Sequence, residues 1–240
     1  MDKIYKTSAI GYHIKLARKD QVNDIVRFLK EHFNNEETMF KSLVKSRIVI
    51  NEEETKLINE DQEKFQKAVF DSSPCLLAFD EKTKKIVGIN LMILSQNSRF
   101  VNNCKVGTNA VFHENIPKSK LIKDYYHYMS IITEKVDLYD RFPNAKAALE
   151  FYAIAVDKNH RKIGLSLDLT IAGLSLAKSY PNVGFIFGLY TSIYSKRSAE
   201  KIGMKSVLNV DLLTYENEKG EPIFQDTPPH NIVSLMVLEL

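Results

Sequence analysis

The sequence predicts a mixed α/β fold, a central twisted mixed sheet of about seven strands flanked by helices, on three observations. Short apolar or alternating runs that read as strands are interleaved with stretches whose apolar residues recur at helical spacing. At 240 residues, 44% hydrophobic and 26% charged, the chain can bury one sizeable core of ordinary globular composition. No repeat, linker or low-complexity tract interrupts it, so residues 1–240 are expected to form one domain.

Taken in order, Tyr12 to Ala17 reads as the first strand. Val22, Ile25, Val26, Leu29 and Phe33 then fall at helical spacing, with Asp20 as the expected N-cap. The polar pair Asn34-Asn35 ends that helix, and a second is expected to start near Glu36. Glu52 to Phe70 is charged and predicts a helix on a solvated face. Cys75–Phe79 and Ile86–Leu94 flank a turn-like run from Glu81 to Lys85 and predict a hairpin. Ser95 to Asn115 shows no period. After Pro117, the residues Leu121, Tyr125, Met129, Ile132 and Val136 mark a long amphipathic helix. Leu149–Val156 is a strand, Gly164–Ser179 a helix, Val183–Tyr190 a strand, and Tyr194–Ile202 a helix stopped by Gly203. Lys205–Tyr215 and Ile232–Leu240 are the last two strands, around the turn Glu218-Lys219-Gly220.

Charge and cysteine usage narrow the function classes. The net charge of +3, from 33 basic and 30 acidic residues, is too balanced for a nucleic-acid binder with a basic stripe. Cys75 opens an apolar run and reads as a core residue, while Cys104 has no His or second Cys at a ligand spacing. Neither metal nor thiol chemistry is indicated. Met1 to Ile10 has no apolar core of signal length, and the longest apolar run, around Ile86 to Leu94, is broken by Gly88 and Asn90. A cytoplasmic monomer with no nucleic-acid or membrane partner is expected.

The most informative stretch runs from Tyr152 to Ser166, a strand followed by a basic turn of the form RxxGxS and a helix start. The first N–H groups of a helix lack intrahelical partners and carry the positive end of its dipole, which favours an anion. Gly164 permits close backbone approach to a phosphate, Ser166 adds a hydroxyl, and Arg161 with Lys162 adds charge. Standing alone, the same hexapeptide also reads as an ordinary turn.

Three further segments sit in order with it. They are Phe28-Leu29-Lys30-Glu31-His32-Phe33-Asn34-Asn35-Glu36-Glu37-Thr38-Met39, then Thr191-Ser192-Ile193-Tyr194-Ser195-Lys196-Arg197 closing with Glu200-Lys201-Ile202-Gly203-Met204, then Pro228-Pro229-His230. Together with the basic turn they resemble the GNAT acyltransferases, and within them the insect arylalkylamine N-acetyltransferase branch. The resemblance spans most of the chain. It implies the GNAT fold and transfer of an acetyl group from acetyl-CoA, a cosubstrate, to a small primary amine. It places the general base on Glu37 and the catalytic hydroxyl pair on Thr191 and Ser195. Ile154, Ala155 and Val156 fall on the strand that meets the acetyl and pantetheine arm. Arg161, Lys162, Ile163, Gly164, Leu165 and Ser166 fall on the pyrophosphate loop, and Glu36 and His230 are assigned to the amine pocket.

The chemistry needs such groups. An alkylammonium must lose a proton before it attacks a thioester, at a cost of roughly 4–5 kcal/mol at neutral pH. A positioned carboxylate supplies about 10²–10⁴-fold by taking that proton. A backbone N–H near Ala155 or Val156 is the expected oxyanion donor. Many enzymes of this superfamily place a tyrosine shortly before the closing Gly as acid for the leaving thiolate. Here Ala199 and Glu200 occupy those positions, leaving Ser195 as the available hydroxyl. Two departures from the branch are Thr38 where it has proline and Ser166 where the loop often ends in glycine.

Each assignment has a plainer counterpart. Glu36 and Glu37 also read as a solvated acidic pair capping a helix start, and Thr191 and Ser195 as N-cap and first-turn hydroxyls. His230 also reads as a structural histidine, and Tyr125, Tyr126 and Tyr128 serve either an aromatic substrate wall or the core. Three other functions stay open. One is acyl transfer to agmatine or a polyamine, or from longer acyl-CoA donors; another is a non-catalytic acyl-CoA-binding module. The third, acetylation of a histone or peptide, is disfavoured by the long insertion from Ser95 to Val136.

Overall fold

The computed structural model describes residues 4–46, 50–101, 107–217 and 219–240; Cys104 and Glu218 lie outside them. Strands β1 (Ile4–Lys6) and β2 (Tyr12–Leu16) are followed by helices α1 (Val22–Leu29), α2 (Thr38–Ser46) and α3 (Glu52–Ser72). Next come β3 (Cys75–Asp80), β4 (Ile86–Gln96), α4 (Gly107–Glu114), α5 (Lys120–Thr133), α6 (Leu138–Arg141) and β5 (Ala147–Val156). The chain closes with α7 (Leu165–Ala177), β6 (Val183–Tyr190), α8 (Ile193–Lys201), β7 (Lys205–Asp211) and β8 (Ile232–Glu239).

Among the described residues, eight strands join one mixed sheet in the order β1-β2-β3-β4-β5-β6-β8-β7. Among these described strands only β5 and β6 pair in parallel, as the α7 crossover between them requires. The eighth strand is β1, whose three residues are too short to show an alternation. It pairs with β2 through Ile4↔Lys15 and Lys6↔His13.

Helices cover both faces. On one, α1, α2, α3 and α5 bury Ile25, Leu29, Met39, Phe65 and Leu121 against Leu77, Ile89 and Leu91. On the other, α7 and α8 bury Leu165, Leu169 and Ala199 against Leu76, Met92 and Ile186. α7 lies so close to the sheet that a Cβ at Gly173 would stand 2.7 Å from Nδ2 of Asn90 and 2.8 Å from the Phe151 ring. Cys75 is buried in the core, as its apolar run suggests.

Several boundaries differ from the sequence reading, each for a local reason. Asp20 caps no helix: it sits inside a short turn, Lys19–Gln21, and its carboxylate meets the Arg18 guanidinium, while Gln21 occupies the cap position of α1. α1 continues through a π turn, Lys30–Asn34, that hydrophobic spacing does not reveal. α5 starts behind Ser119, whose hydroxyl oxygen accepts the Ile122 N–H at 3.2 Å, and ends at Thr133, short of Val136. The strand expected over Lys205–Tyr215 stops at Asp211 in a short helical turn, Leu212–Thr214. α3 is not only a solvated helix, since Ile58, Asp61, Phe65 and Gln66 on it are buried. Within the aperiodic stretch the structure adds α4, and after it α6. Among the described residues no helix is long and apolar enough to cross a membrane.

Candidate active site

A bulge in β5 sets the position of the site. The pairing of β4 with β5 shifts register between Leu91↔Ala153 and Met92↔Phe151, leaving Tyr152 as the extra residue. Before it, Phe151 faces the α7 core; after it, Ala153 and Ala155 face the α1–α5 core, and Ile154 and Val156 turn toward α7. The pairing of β5 with β6 ends at Glu150↔Phe187. Beyond that point the strands diverge, and among the described residues the β5 edge from Phe151 to Val156 has no strand partner on that side. A cleft of about 680 Å³ opens there, with Ile154, Ala155 and Val156 on its wall.

One end of the cleft is the basic turn. Lys162 and Gly164 both adopt left-handed backbone, at φ 67° and 96°, which folds Arg161 to Gly164 into a concave turn directly ahead of α7. Glycine is needed at 164 for this conformation, and a Cβ there would also meet Ser8 Oγ at 3.0 Å. The leading N–H groups of α7 follow, and Lys162, Gly164, Leu165 and Ser166 border the cleft. Arg161 is fixed by donating from Nε to the Val156 carbonyl at 3.0 Å. Its guanidinium stands 4.0 Å from the exposed carboxylate of Glu36 across the cleft mouth. His160, also on the wall, has Nδ1 3.0 Å from the Tyr12 hydroxyl. The β1–β2 turn is tied to the same helix, because Asp168 accepts from both the N–H and the hydroxyl of Ser8 at 3.0 Å.

Glu37 forms the other end. Its carboxylate caps α2, accepting the N–H of Met39 at 3.2 Å and of Phe40 at 2.7 Å. The capping role weighed from sequence is therefore real, but the carboxylate is buried rather than solvated, and only Glu36 is exposed. Burial raises the Glu37 pKa above the ordinary 4.5, and the Thr191 hydroxyl, the two N–H groups and the Tyr125 phenol, acting as donors, offset part of the rise. Thr38 begins α2 on the cleft wall, and the turn holds Glu37 in place through its own helix cap rather than through a proline.

The start of α8 closes the third side. Its N-cap is Ser192, whose hydroxyl oxygen accepts the Tyr194 N–H at 3.3 Å, so Thr191 is not needed as a cap and faces Glu37 instead. Ser195 is a first-turn hydroxyl, donating to the Ser192 carbonyl at 3.0 Å. His230 accepts the Ile193 N–H on Nδ1 at 3.3 Å and packs edge-on against Tyr194. Burial first, and then the charge of Lys41, hold its pKa below the ordinary 6.5, consistent with a neutral ring accepting on Nδ1.

Every residue that the resemblance assigns to the site borders this cleft except Ile163, which is 41% exposed. The sequence reading missed His160, Phe33, Tyr194 and Lys201 on its wall. His160 lies inside the quoted basic turn and was within reach of the motif. Of the three tyrosines on α5, Tyr125 and Tyr126 are buried beside Glu37, and Tyr128 packs against Phe224. Among the described residues, no group of three or more His, Cys, Asp or Glu side chains is arranged to hold a metal ion.

No protein-family model matches the chain. Solved structures do. The chain is similar to a mosquito arylalkylamine N-acetyltransferase-like 5b protein, with a TM-score of 0.72 and 22% identity over 95% of this chain and 100% of that one. It is similar to arylalkylamine N-acetyltransferase 2 from Aedes aegypti, with a TM-score of 0.75 and 18% identity over 95% and 98% of the two chains. A Drosophila melanogaster polyamine N-acetyltransferase, described as forming N-acetylagmatine, matches with a TM-score of 0.70 and 18% identity over 95% and 100%. The chain therefore has the GNAT fold over nearly its whole length.

Proposed function

We propose that the chain is an acetyl-CoA-dependent N-acetyltransferase for small primary amines, with arylalkylamines such as dopamine, tyramine and serotonin as its substrates. One observation carries the reading. A single cleft joins an anion-accepting helix start, an unpaired strand edge and a buried carboxylate of raised pKa. These three features match, in order, the pyrophosphate, the amide-rich arm and the reacting end of an acyl-CoA bound as cosubstrate. The cradle fits that molecule because the turn has no side chain at Gly164 and offers the cationic Lys162 and Arg161 beside the free N–H groups of α7.

In the reaction so read, Glu37 takes a proton from the substrate ammonium. The freed nitrogen attacks the thioester carbonyl, forming the C–N bond, and an unpaired N–H of β5 near Ala155 or Val156 holds the oxyanion. The C–S bond then breaks. The departing thiolate is a fair leaving group, and Ser195 can shift its hydroxyl from the Ser192 carbonyl to the sulfur. Thr191 orients Glu37. The same Glu37 that caps α2 is thereby held rigidly, so its two roles support each other.

Support for an aromatic amine comes from the rings near Glu37. Phe33, His32 and Tyr194 line the cleft that Glu37 borders. Glu36, the other acid at the mouth, faces Arg161 and is not left alone to attract a polycation. The test is CoA release from acetyl-CoA with dopamine, tyramine, serotonin, agmatine and spermidine. Turnover of the aromatic amines is expected. Turnover of agmatine or spermidine alone would move the substrate class, and bound acetyl-CoA without turnover of any amine would leave a binding module.

A further inference from the structure

Glu37 borders two spaces. One is the cleft; the other is a small chamber of about 20 Å³ that shares Phe33 and Glu37 with it, room for a single water molecule. Rings of Phe33, Phe40, Tyr125, Tyr126 and Tyr152 surround this chamber, and so do the amides of Asn34, Gln62 and Gln66. The amides form a directed chain. Gln66 Nε2 donates to Asn34 Oδ1 at 2.7 Å, and Asn34 Nδ2 donates to Gln62 Oε1 at 3.1 Å. Both of these hydrogen bonds run toward the half-buried Gln62. What remains at the inner end is Gln66 Oε1, which has no hydrogen-bond partner among the described residues although the residue is only 3% exposed.

A buried carbonyl oxygen without a donor is costly, and native proteins satisfy such groups with protein or with ordered water. Here the remaining neighbours do not serve it. The Tyr126 and Tyr152 hydroxyls lie 3.2 Å from each other, and the Glu37 carboxylate is itself an acceptor. Two acceptors around a space for one small molecule call for a ligand with two donors. The π turn at Lys30–Asn34 is what carries Phe33 and Asn34 to the chamber, so an irregular helix is spent on building it.

We propose that the chamber holds one water molecule, donating one hydrogen to Gln66 Oε1 and the other to the Glu37 carboxylate, and that Gln66 acts through it as a positioning residue for the base. The role as base rests on the acetyltransfer reading; the water site does not. Before reaction the water stabilises the ionised carboxylate from behind, leaving the cleft side free for the ammonium. After Glu37 takes the proton, its new O–H can donate to the water oxygen while the water keeps its bond to Gln66. The proton thus has a partner on the side away from the product. The titratable and charged groups facing Glu37 are Tyr125 and Tyr126 from α5 and Tyr152 from β5, with Glu150 behind them. Glu36, Arg161 and His230 stand on the cleft walls.

Two measurements test this without turnover. A high-resolution crystal structure of the wild-type chain should show one ordered water within hydrogen-bond distance of both Gln66 Oε1 and Glu37; a dry chamber, or a protein donor on Gln66, overturns the proposal. Side-chain carbon-13 NMR of labelled glutamate follows Glu37, identified by the loss of its signal in Glu37→Gln. In Gln66→Met, which keeps the volume and removes the acceptor, the Glu37 midpoint should rise by about half a unit to one unit, the worth of one lost hydrogen bond. An unmoved midpoint in a folded Gln66→Met protein overturns the positioning role. If the water and the shift are found but no amine is acetylated, the acetyltransfer reading fails and the water site stands. If an active enzyme has a dry chamber, only this inference fails.

Discussion

The two ends of the cleft are built in opposite ways. At the α7 end, recognition rests on backbone: two left-handed residues, a helix start and an unpaired strand edge, with the Lys162 side chain reaching solvent. At the Glu37 end it rests on side chains that are buried, mutually hydrogen-bonded and drawn from α1, α2, α3, α5 and β5. Backbone recognition tolerates sequence change wherever the chain path survives. Side-chain recognition in a low-dielectric pocket does not, because each lost partner leaves another polar group unsatisfied.

Substitutions at each end should therefore separate chemistry from cosubstrate binding. The largest effect is expected from Glu37→Gln, which should lower kcat by about 10²–10⁴-fold while leaving acetyl-CoA affinity unchanged in direct binding measurements. Weakened acetyl-CoA binding as the main defect would erase the contrast. Gly164→Ala comes next. It forces a Cβ into left-handed backbone against Ser8, with a strain of about 1–2 kcal/mol. Acetyl-CoA should then bind about five- to thirty-fold more weakly, with kcat at saturation preserved. Gly164→Ala at wild-type affinity would mean that the turn does not hold the cosubstrate.

Thr191→Val should act more mildly and only through ionisation. The hydroxyl lowers the Glu37 pKa, so its removal moves the acid limb of the kcat–pH profile upward. An unchanged limb would remove Thr191 from the base's surroundings. Ser195→Ala is expected to be the smallest, a few-fold loss in kcat, since its hydroxyl is already engaged by the Ser192 carbonyl. Rates measured with acetyl-CoA and one aromatic amine across these four variants would rank them.

Stability gives an independent reading of the Glu37 end. The folded-state pKa of Glu37 is raised, so the folded chain holds that proton more tightly than the unfolded one. The stabilisation is then fully present below the ordinary value of 4.5 and is lost as pH rises through the folded pKa. Glu37→Gln, which never ionises, should melt higher than wild type at neutral pH, with the gap closing below pH 4.5. A gap that stays constant with pH would show that burial does not disfavour the charge.

The same contrast governs what could be read in advance. Strands β2 to β8 and helices α1, α3, α5, α7 and α8 follow from short apolar runs and helical spacing, whereas the short α4 and α6 do not, and the α7 end follows from one contiguous motif in which Arg161, Gly164 and Ser166 lie within six residues. The Glu37 end is assembled from distant segments. Gln66 sits on a helix whose charged composition hides its buried face, although Phe65 and Val69 beside it mark that face in retrospect. Asn34 reaches the chamber only because α1 takes a π turn, for which hydrophobic spacing has no signature. The choice of Ser192 over Thr191 as helix cap turns on one residue of register, finer than a capping preference resolves. β1 escaped notice because three residues cannot display a period.

The bulge at Tyr152 has a consequence for how this chain can vary. It is a counting device: one extra residue puts the two halves of β5 out of phase, so that Glu150 and Ala155 share a face although five positions separate them. Deleting a residue here would leave a strand of nearly the same length and composition, yet would turn its far half over. The edge now open to the cleft would exchange with the edge bonded to β4. Descendants of this chain can replace most side chains along that strand and keep the cleft, but they cannot change the number of residues in it.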